Sequence, residues 1–263
     1  MIEIKYPGVV TETRSSFPGG QEIIEFAAQS GLRYCPRQDR SLSQILLDEG
    51  VSWIVVWEPR GPVLYQSEDR FFYHPSMGKS RVSRLRQGQS DPMVDAMGLC
   101  QGMEVLDCTL GLGADALVIS YVIGKEGRIV GVESSPLIAY IVRWGIQKYS
   151  EGPKWLQEAL SRIEIVCEDH YDLLKNQPDN SFDIVYFDPM FRQPISKSQP
   201  ISPLRRLANH EPLSLEVLAE AARVTRKLVV VNERLDSNEF KRLGLKQIIA
   251  GKHSVISYGI LNV

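Results

Sequence analysis

The sequence predicts an α/β protein: a mostly parallel sheet of seven strands with helices on both faces, preceded by a small N-terminal α/β subdomain. Strand and helix patterns alternate strictly from Gly102 onward, which is typical of βαβ units. The first 70 residues carry shorter alternating elements. Hydrophobic residues make up 43% and charged residues 24%, which is the composition of a globular chain that buries a core.

Residues 1–72 are predicted to form the small subdomain. A strand is expected over 8–13, and apolar residues at helical spacing predict a helix over 20–30. Ser41 is placed to cap a second helix. Residues 53–57 favour a strand, which ends in a turn-like Pro-Arg-Gly-Pro run. A structural appendage and a substrate-recognition unit both remain open for this subdomain.

Residues 102–263 are predicted to form the main domain. Its parallel strands are expected at 103–108, 128–132, 162–167, 182–187 and 227–231. Its helices are expected at 114–123, 136–149, 153–160, 213–224 and 237–243. The final strands, 247–250 and 255–261, are predicted to form an antiparallel pair.

A basic segment, residues 73–101, connects the two parts. Its basic side chains are Lys79, Arg81, Arg84 and Arg86. A second stretch without acidic residues, 189–210, carries Arg192, Lys197, Arg205 and Arg206. Either run can be a solvated surface, but two of them in one chain of net charge -2 favour contact with phosphates. These eight side chains are the candidate substrate-binding residues.

The composition excludes several classes of protein. Lys plus Arg number 30 and Asp plus Glu 32, which excludes a strongly basic, histone-like binder. The four cysteines form no CxxC pair and histidine is scarce, so no metal site is predicted and the thiols are expected to be buried and reduced. No signal-peptide pattern and no apolar run of roughly 20 residues occur, which predicts a cytoplasmic protein.

The stretch VLDCTLGLGADAL, from Val105 to Leu117, is the most informative. Gly111 and Gly113 follow a strand and precede a helix, so the backbone can turn sharply and a ligand can approach without obstruction by a Cβ atom. That ligand would lie at the carboxyl end of the strand, where open parallel sheets bind ligands. Glu133 ends the next strand and is placed to accept both hydroxyls of a ribose.

The same loop reads GxGxxA and therefore also fits a dinucleotide-dependent oxidoreductase. Asp107, Asp115 and Asp169 argue against a pyrophosphate, because like charges repel. They suit a ligand with an amino group, a sulfonium charge and a ribose, and S-adenosylmethionine (SAM) has all three. The structural alternative for Asp107 and Asp115 is the capping of a turn or helix.

The strand at 182–187 ends in Asp188-Pro189-Met190-Phe191. An exocyclic base amine is a poor nucleophile because its lone pair is delocalised into the ring, and acceptors on its N–H groups orient that lone pair. Asp188 and the carbonyl of Pro189 are candidate acceptors, and Phe191 is a candidate stacking partner worth about 1–3 kcal/mol. Catalysis would then consist mainly of alignment. Asp-Pro is also ordinary turn chemistry.

These motifs resemble those of class I SAM-dependent methyltransferases, which have a Rossmann-like fold. More narrowly, DCTLGLGADAL and YFDPMF resemble the DATAGLGRDAF-like and YLDPMF stretches of the bacterial family that methylates the exocyclic N2 of a guanine in small-subunit ribosomal RNA. The resemblance covers roughly residues 70–260, and the chain also resembles a group of Gram-positive methyltransferases throughout its length. It implies SAM as the cofactor and ribosomal RNA as the partner.

The candidate site combines the loop with this resemblance. The loop supplies the cofactor-binding candidates Asp107, Thr109, Gly111 and Gly113. The resemblance adds Ala114, Asp115, Glu133, Ser134, Asp169, His170 and Asp188. The implied catalytic residues are Asp188, Pro189 and Phe191. Ala114 and Ser134 stand where that family has arginine, and the run after Phe191 also differs from the family's.

The leading hypothesis is therefore a SAM-dependent methyltransferase that acts on a base amine of ribosomal RNA. A methyltransferase for a small molecule or a protein side chain is the alternative that the net charge favours. A dinucleotide-dependent oxidoreductase is disfavoured by Asp107. A non-catalytic RNA-binding protein of the same fold is disfavoured by the intact motif at Asp188.

Overall fold

The computed structural model describes residues 8–14, 20–66, 69–189, 209–251 and 255–263. The helices are α1 (Gly20–Ser30), α2 (Leu42–Asp48), α3 (Ser76–Arg86), α4 (Pro92–Met97), α5 (Ala114–Ile123), α6 (Pro136–Lys148), α7 (Lys154–Ser161), α8 (His170–Asn176), α9 (Leu215–Val224) and α10 (Glu239–Arg242). The strands are β1 (Gly8–Glu12), β2 (Arg33–Tyr34), β3 (Trp53–Glu58), β4 (Gly61–Gln66), β5 (Asp69–Phe71), β6 (Glu104–Asp107), β7 (Arg128–Glu133), β8 (Ile163–Cys167), β9 (Phe182–Phe187), β10 (Thr225–Arg234), β11 (Gln247–Ala250) and β12 (Ile256–Asn262).

The chain forms two compact units. The first takes in the described residues up to 74 together with 136–150, and the second takes in 75–135 and the described residues from 151 onward. Domain boundaries after residues 72 and 101 stay predictions.

The first unit contains a five-stranded sheet in the order β2-β1-β3-β4-β5. β1 pairs in parallel with β2 and β3, and β4 and β5 add antiparallel strands. Trp57 is fully buried, with its ring 5.6 Å from that of Phe26 and 5.1 Å from that of Trp144. Ser41 caps α2, as predicted, by accepting a hydrogen bond from Gln44 N–H.

The second unit contains a seven-stranded sheet in the order β11-β12-β10-β9-β6-β7-β8. The five strands from β10 to β8 are parallel, and β12 is antiparallel to both β10 and β11. This confirms the predicted mostly parallel sheet and its terminal antiparallel pair. β10 extends to Arg234, three residues beyond its predicted end.

Helices cover both faces of this sheet. Helices α8, α9 and α10 pack on one face through a core that includes Leu106, Val185 and Val231. Helix α5 lies on the other face, in contact with α3, α4 and α7. The chain runs outward from β6 to β7 and β8 and then returns to β9, so β6 and β9 flank the point at which the strand order reverses. Ligands bind at such a point in open α/β sheets.

Gly78 brings α3 close to α5. A Cβ atom at Gly78 would stand 2.7 Å from the carbonyl oxygen of Ala114 and 2.9 Å from Leu117 Cδ2. Only glycine allows this approach. The basic segment therefore packs directly on the start of the helix that follows the glycine loop.

The four cysteines are free thiols. Cys35 and Cys108 are buried, whereas Cys167 is half-buried and Cys100 is exposed. The prediction that all four are buried was therefore wrong for the last two. Cys100 lies in the turn before β6, where its side chain faces solvent. None of the helices within the described ranges has the length and apolar character required to cross a bilayer.

Candidate functional site

The carboxyl ends of β6 and β9 meet at Thr109. Its hydroxyl oxygen accepts a hydrogen bond from Asp188 N–H at 2.5 Å. Its own N–H donates to Asp107 Oδ1 at 3.0 Å, and its hydroxyl lies 3.5 Å from the same oxygen. The glycine loop and the Asp-Pro turn, which are some 80 residues apart in sequence, are thus joined through one side chain.

The glycine loop is held by Glu133. Gly111 and Gly113 both have φ in the left-handed region, at 50° and 69°, which glycine adopts without strain. Glu133 is 8% exposed and accepts hydrogen bonds from Gly111 N–H at 3.2 Å and Ser135 N–H at 2.8 Å. Burial nevertheless raises the pKa of this carboxyl group. A carboxylate has about four lone-pair sites, so these backbone donors, with Ser134 N–H as a third, leave room for a further donor.

Several carboxyl groups crowd the same edge of the sheet. Asp107 is 1% exposed, and its burial together with the nearby Asp115 and Glu133 raises its pKa to about 8. Burial, followed by the charges of Asp115 and Asp107, also raises the pKa of Asp188 well above its usual range. In the part of the chain that the structure describes, no three His, Cys, Asp or Glu side chains are arranged to hold a metal ion. A positively charged ligand would relieve the repulsion among these carboxyl groups.

Arg81 lies in a different position from the phosphate-facing one predicted for it. Its guanidinium donates to both oxygens of Asp91, at 2.7 and 2.8 Å, and to Asp115. Tyr186 OH donates to the other oxygen of Asp115 at 2.9 Å. The side chain of Arg81 is only 18% exposed, because α3 turns this residue inward together with Gly78. Arg81 thus neutralises the acidic site instead of facing solvent.

The other basic residues of α3 lie on its outer side. Arg84 and Arg86 are exposed and Lys79 is half-buried. The Arg86 guanidinium lies 5.4 Å from the centre of the Trp155 ring. These three positions agree with a phosphate-contacting surface. Phe191, Arg192, Lys197, Arg205 and Arg206 lie outside the described residues.

The remaining candidates flank this centre. Asp169 caps α8 by accepting from Tyr171 N–H at 2.8 Å. His170 stands edge-on to Phe187 at 5.8 Å, and burial lowers the pKa of its imidazole. Ala114 is the first residue of α5, Ser134 follows Glu133, and Pro189 is half-buried beside Asp188. Their roles toward a cofactor stay predictions.

Asn232 was missed by the sequence analysis. It lies near the end of β10, and its amide nitrogen donates to Asp188 Oδ1 at 3.0 Å. A usable signal was present, because Asn232 directly follows the apolar run Leu228–Val231, just as Asp107, Glu133 and Asp188 end or follow apolar strands. The predicted strand ends at Val231, one residue before this position, whereas β10 continues to Arg234.

The chain is similar in sequence and fold to several known proteins. A family model of SAM-dependent methyltransferases, SAM_MT, matches residues 72–253. The chain is 35% identical to YpiP of Bacillus subtilis (strain 168) over 96% of this chain and 98% of YpiP. It is 31% identical to ribosomal RNA small subunit methyltransferase J of Coxiella burnetii (strain Dugway 5J108-111), over 64% of this chain and 65% of that protein. The SAM-dependent methyltransferase NGO1261 from Neisseria gonorrhoeae has the same fold, with a TM-score of 0.66, 17% identity, and coverage of 96% of this chain and 95% of that one.

Proposed function

The chain belongs to the SAM-dependent methyltransferase family, and from this premise we propose that it methylates an exocyclic base amine, guanine N2, in ribosomal RNA. The observation that supports this proposal most is the hydrogen bond from Asp188 N–H to Thr109, which joins the Asp-Pro turn to the glycine loop. The methyltransferase J relative supports the substrate class. A cytoplasmic location follows from such a substrate.

The residues at the ends of β6 and β7 fit SAM in their chemistry. Among the residues that the structure describes, a Cβ atom at Gly111 would meet Thr109 O alone within 4 Å, at 3.9 Å, which leaves room for a ligand beside the loop. Glu133 would hold the ribose hydroxyls, and Asp107 would face the positively charged part of the cofactor. The oxygens of Asp115 accept from Arg81 and Tyr186, so its side chain ties α5 to α3 and β9, and contact with the cofactor would use its remaining lone pairs.

SAM, when bound, would supply an electrophilic methyl group to the amine nitrogen, with loss of a proton from the amine and S-adenosylhomocysteine as the leaving group. Asp188 accepts one N–H of the amine, and the carbonyl of Pro189 accepts the other. Thr109 fixes the backbone of Asp188 at the strand end. This chain therefore contributes mainly alignment, which can replace much of the entropic cost of bringing two reactants together.

Affinity for SAM is expected to rise by up to about tenfold per pH unit between pH 5.5 and 7.5. Asp107 is protonated in the free protein below its pKa of about 8, and a cationic ligand favours its ionised form, so binding releases a proton. The α-amino group of SAM stays charged in this range. Calorimetry in buffers of different ionisation enthalpy counts the protons released. Asp107→Asn should reduce the dependence to the part that Glu133 and Asp188 contribute, since their pKa values are also raised. A flat profile in the wild type would contradict this role for Asp107.

The substrate is tested with ribosomal RNA from a strain that lacks the gene. Purified protein and SAM with a tritiated methyl group are added to free RNA and to small subunits. The RNA is then digested to nucleosides, which are separated by liquid chromatography beside standards of each methylguanosine isomer. N2-methylguanosine is the expected product. Methylation of another atom would refute the guanine N2 assignment. Labelling of protein or small molecules from a lysate, with none of RNA, would favour the alternative substrate class.

The outer side of α3 is expected to contribute phosphate contacts. Replacing Lys79, Arg84 and Arg86 together by alanine should weaken RNA binding and reduce the slope of log affinity against log salt by about two to three, since each lost contact contributes roughly 0.7–0.9. The matched control replaces Lys175, Lys241 and Lys246, which lie on the opposite face of the sheet. Filter binding from 50 to 300 mM salt measures the RNA affinity and the salt slope of the α3 variant and of the control. An unchanged slope in the α3 variant would exclude α3 from the RNA surface.

A further inference from the structure

We propose that Asn232 is a positioning residue for methyl transfer, which holds the carboxylate of Asp188 in place as the acceptor for the substrate amine. The proposal rests on the proposed function, in which Asp188 accepts an N–H group of the base. It adds a residue on β10 to a site otherwise built from β6, β7 and β9.

The strand register places the two side chains together. Phe187 and Val231 are partners in the parallel pairing of β9 with β10, so residues 188 and 232 are the next pair along. Side chains alternate between the faces of a sheet, so Asn232 shares its face with Tyr186 and not with the apolar core beneath. There its amide nitrogen donates to Asp188 Oδ1 at 3.0 Å.

The other end of the Asn232 amide is left without a partner. The side chain is 5% exposed, and its Oδ1 atom is buried with no hydrogen-bond donor among the residues that the structure describes. An unsatisfied buried polar atom destabilises a fold, and an apolar side chain of similar size would avoid that cost. Packing therefore does not account for asparagine at this position, whereas its donation to Asp188 does.

Most charged groups around Asp188 disfavour its ionised form, so a hydrogen-bond donor to its carboxylate is needed to stabilise that form. The carboxyl groups of Asp107 on β6, Asp115 on α5 and Glu233 on β10 all oppose its ionisation. The phenols of Tyr186 and Tyr258, on β9 and β12, stay uncharged. The guanidinium of Arg81 on α3 acts in the opposite direction, although it is shared with Asp91 on α4.

Asp188 accepts more strongly from the amine when it is ionised, because a protonated carboxyl group has less acceptor capacity. The donor on Asn232 stabilises the ionised form, as does the charge of Arg81. Without this donor the carboxyl group would hold its proton to higher pH and would turn more freely. The consequence is a lower rate at neutral pH and a displaced pH profile.

The test compares Asn232→Leu, which removes the donor, with Asn232→Asp, which replaces it by a further carboxyl group of the same size. We expect kcat for RNA methylation to fall by about tenfold or more, KM to change by less than about threefold, and the acidic limb of the kcat profile to move to higher pH by about one unit. The shift should be larger for Asn232→Asp. The matched control is Asn238→Asp, an exposed position beyond the same strand. Circular dichroism confirms folding of each variant.

A second readout needs no turnover. Carbon-13 labelling of aspartate carboxyl groups, with Asp188 assigned by its absence in Asp188→Ala, follows the titration of Asp188 in the wild type and in Asn232→Leu. A titration midpoint moved to higher pH supports the proposal. An unchanged midpoint together with an unchanged kcat profile would overturn it. If the wild type methylates no RNA, the proposed function fails, while the titration still decides whether Asn232 controls the carboxyl group.

Discussion

Replacement of Asp188 by alanine is expected to reduce methyl transfer by about 10³-fold, while affinity for SAM changes by less than about tenfold. The substitution removes the side-chain carboxylate, which is the acceptor that aligns the amine. It retains the backbone N–H of residue 188, which donates to Thr109. The substitution leaves the Asn232 amide without its acceptor, which costs about 1–3 kcal/mol, but it also removes one of several mutually repelling carboxyl groups. Loss of activity in a variant that stays folded is therefore the distinguishing result.

Single-turnover transfer to RNA and calorimetry with SAM measure the two effects, and urea unfolding measures stability. Asp39→Ala provides the control, since this aspartate is exposed in the loop between β2 and α2 of the first unit. Comparable turnover in Asp188→Ala and wild type would remove Asp188 from the catalytic role.

Substitution of Arg81 by methionine is expected to lower the free energy of unfolding by about 3 kcal/mol or more, because it leaves the partly buried carboxylates of Asp91 and Asp115 without their cation. The Arg81 charge and hydrogen bonds lower the pKa of Asp91. Because the pKa of Asp91 is lower in the folded than in the unfolded protein, its ionised form stabilises the fold at pH values above the unfolded pKa of about 3.9. This stabilisation is lost as the pH falls below that value toward the folded pKa. The difference in the free energy of unfolding between Arg81→Met and the wild type should thus become smaller below about pH 4.

Urea unfolding at pH 7 and pH 3.5 tests this expectation. Arg84→Met is the matched control, since it removes the same charge from the exposed side of the same helix and should cost less than about 0.5 kcal/mol. Equal stability of the two variants would show that the buried ion pairs contribute nothing net.

Most of the second unit was predictable because its strands are apolar runs that end at polar residues. Helix α5 and strand β9 have the predicted bounds. Strands β4 and β5 were missed, since the Pro-Arg-Gly-Pro run suggested only a turn. Helix α4 was missed although Asp91-Pro92 carries both a capping residue and a first-turn proline.

The parts of the site that consist of residues adjacent in sequence, such as the glycine loop and the Asp-Pro turn, were predictable. Contacts between residues far apart in sequence were less so. Arg81 looked like one more member of a basic run. Its inward direction follows from helical spacing with Gly78 and Val82, which are both buried. Its partner Asp115 lies 34 residues away, and only the packing of α3 on α5 brings the two together.

The adjacency of β6 and β9 also constrains how the protein is made. While β6 and β7 are close in sequence, the contact between Thr109 and Asp188 spans 79 residues and forms only after β7 and β8 have emerged and the chain has returned. Nonlocal pairing of this kind is slow in folding. A nascent chain that ends before β9 holds the glycine loop and Glu133 but no Asp188. The site for methyl transfer is thus complete only late in synthesis, when β9 pairs with β6 on the side opposite β7.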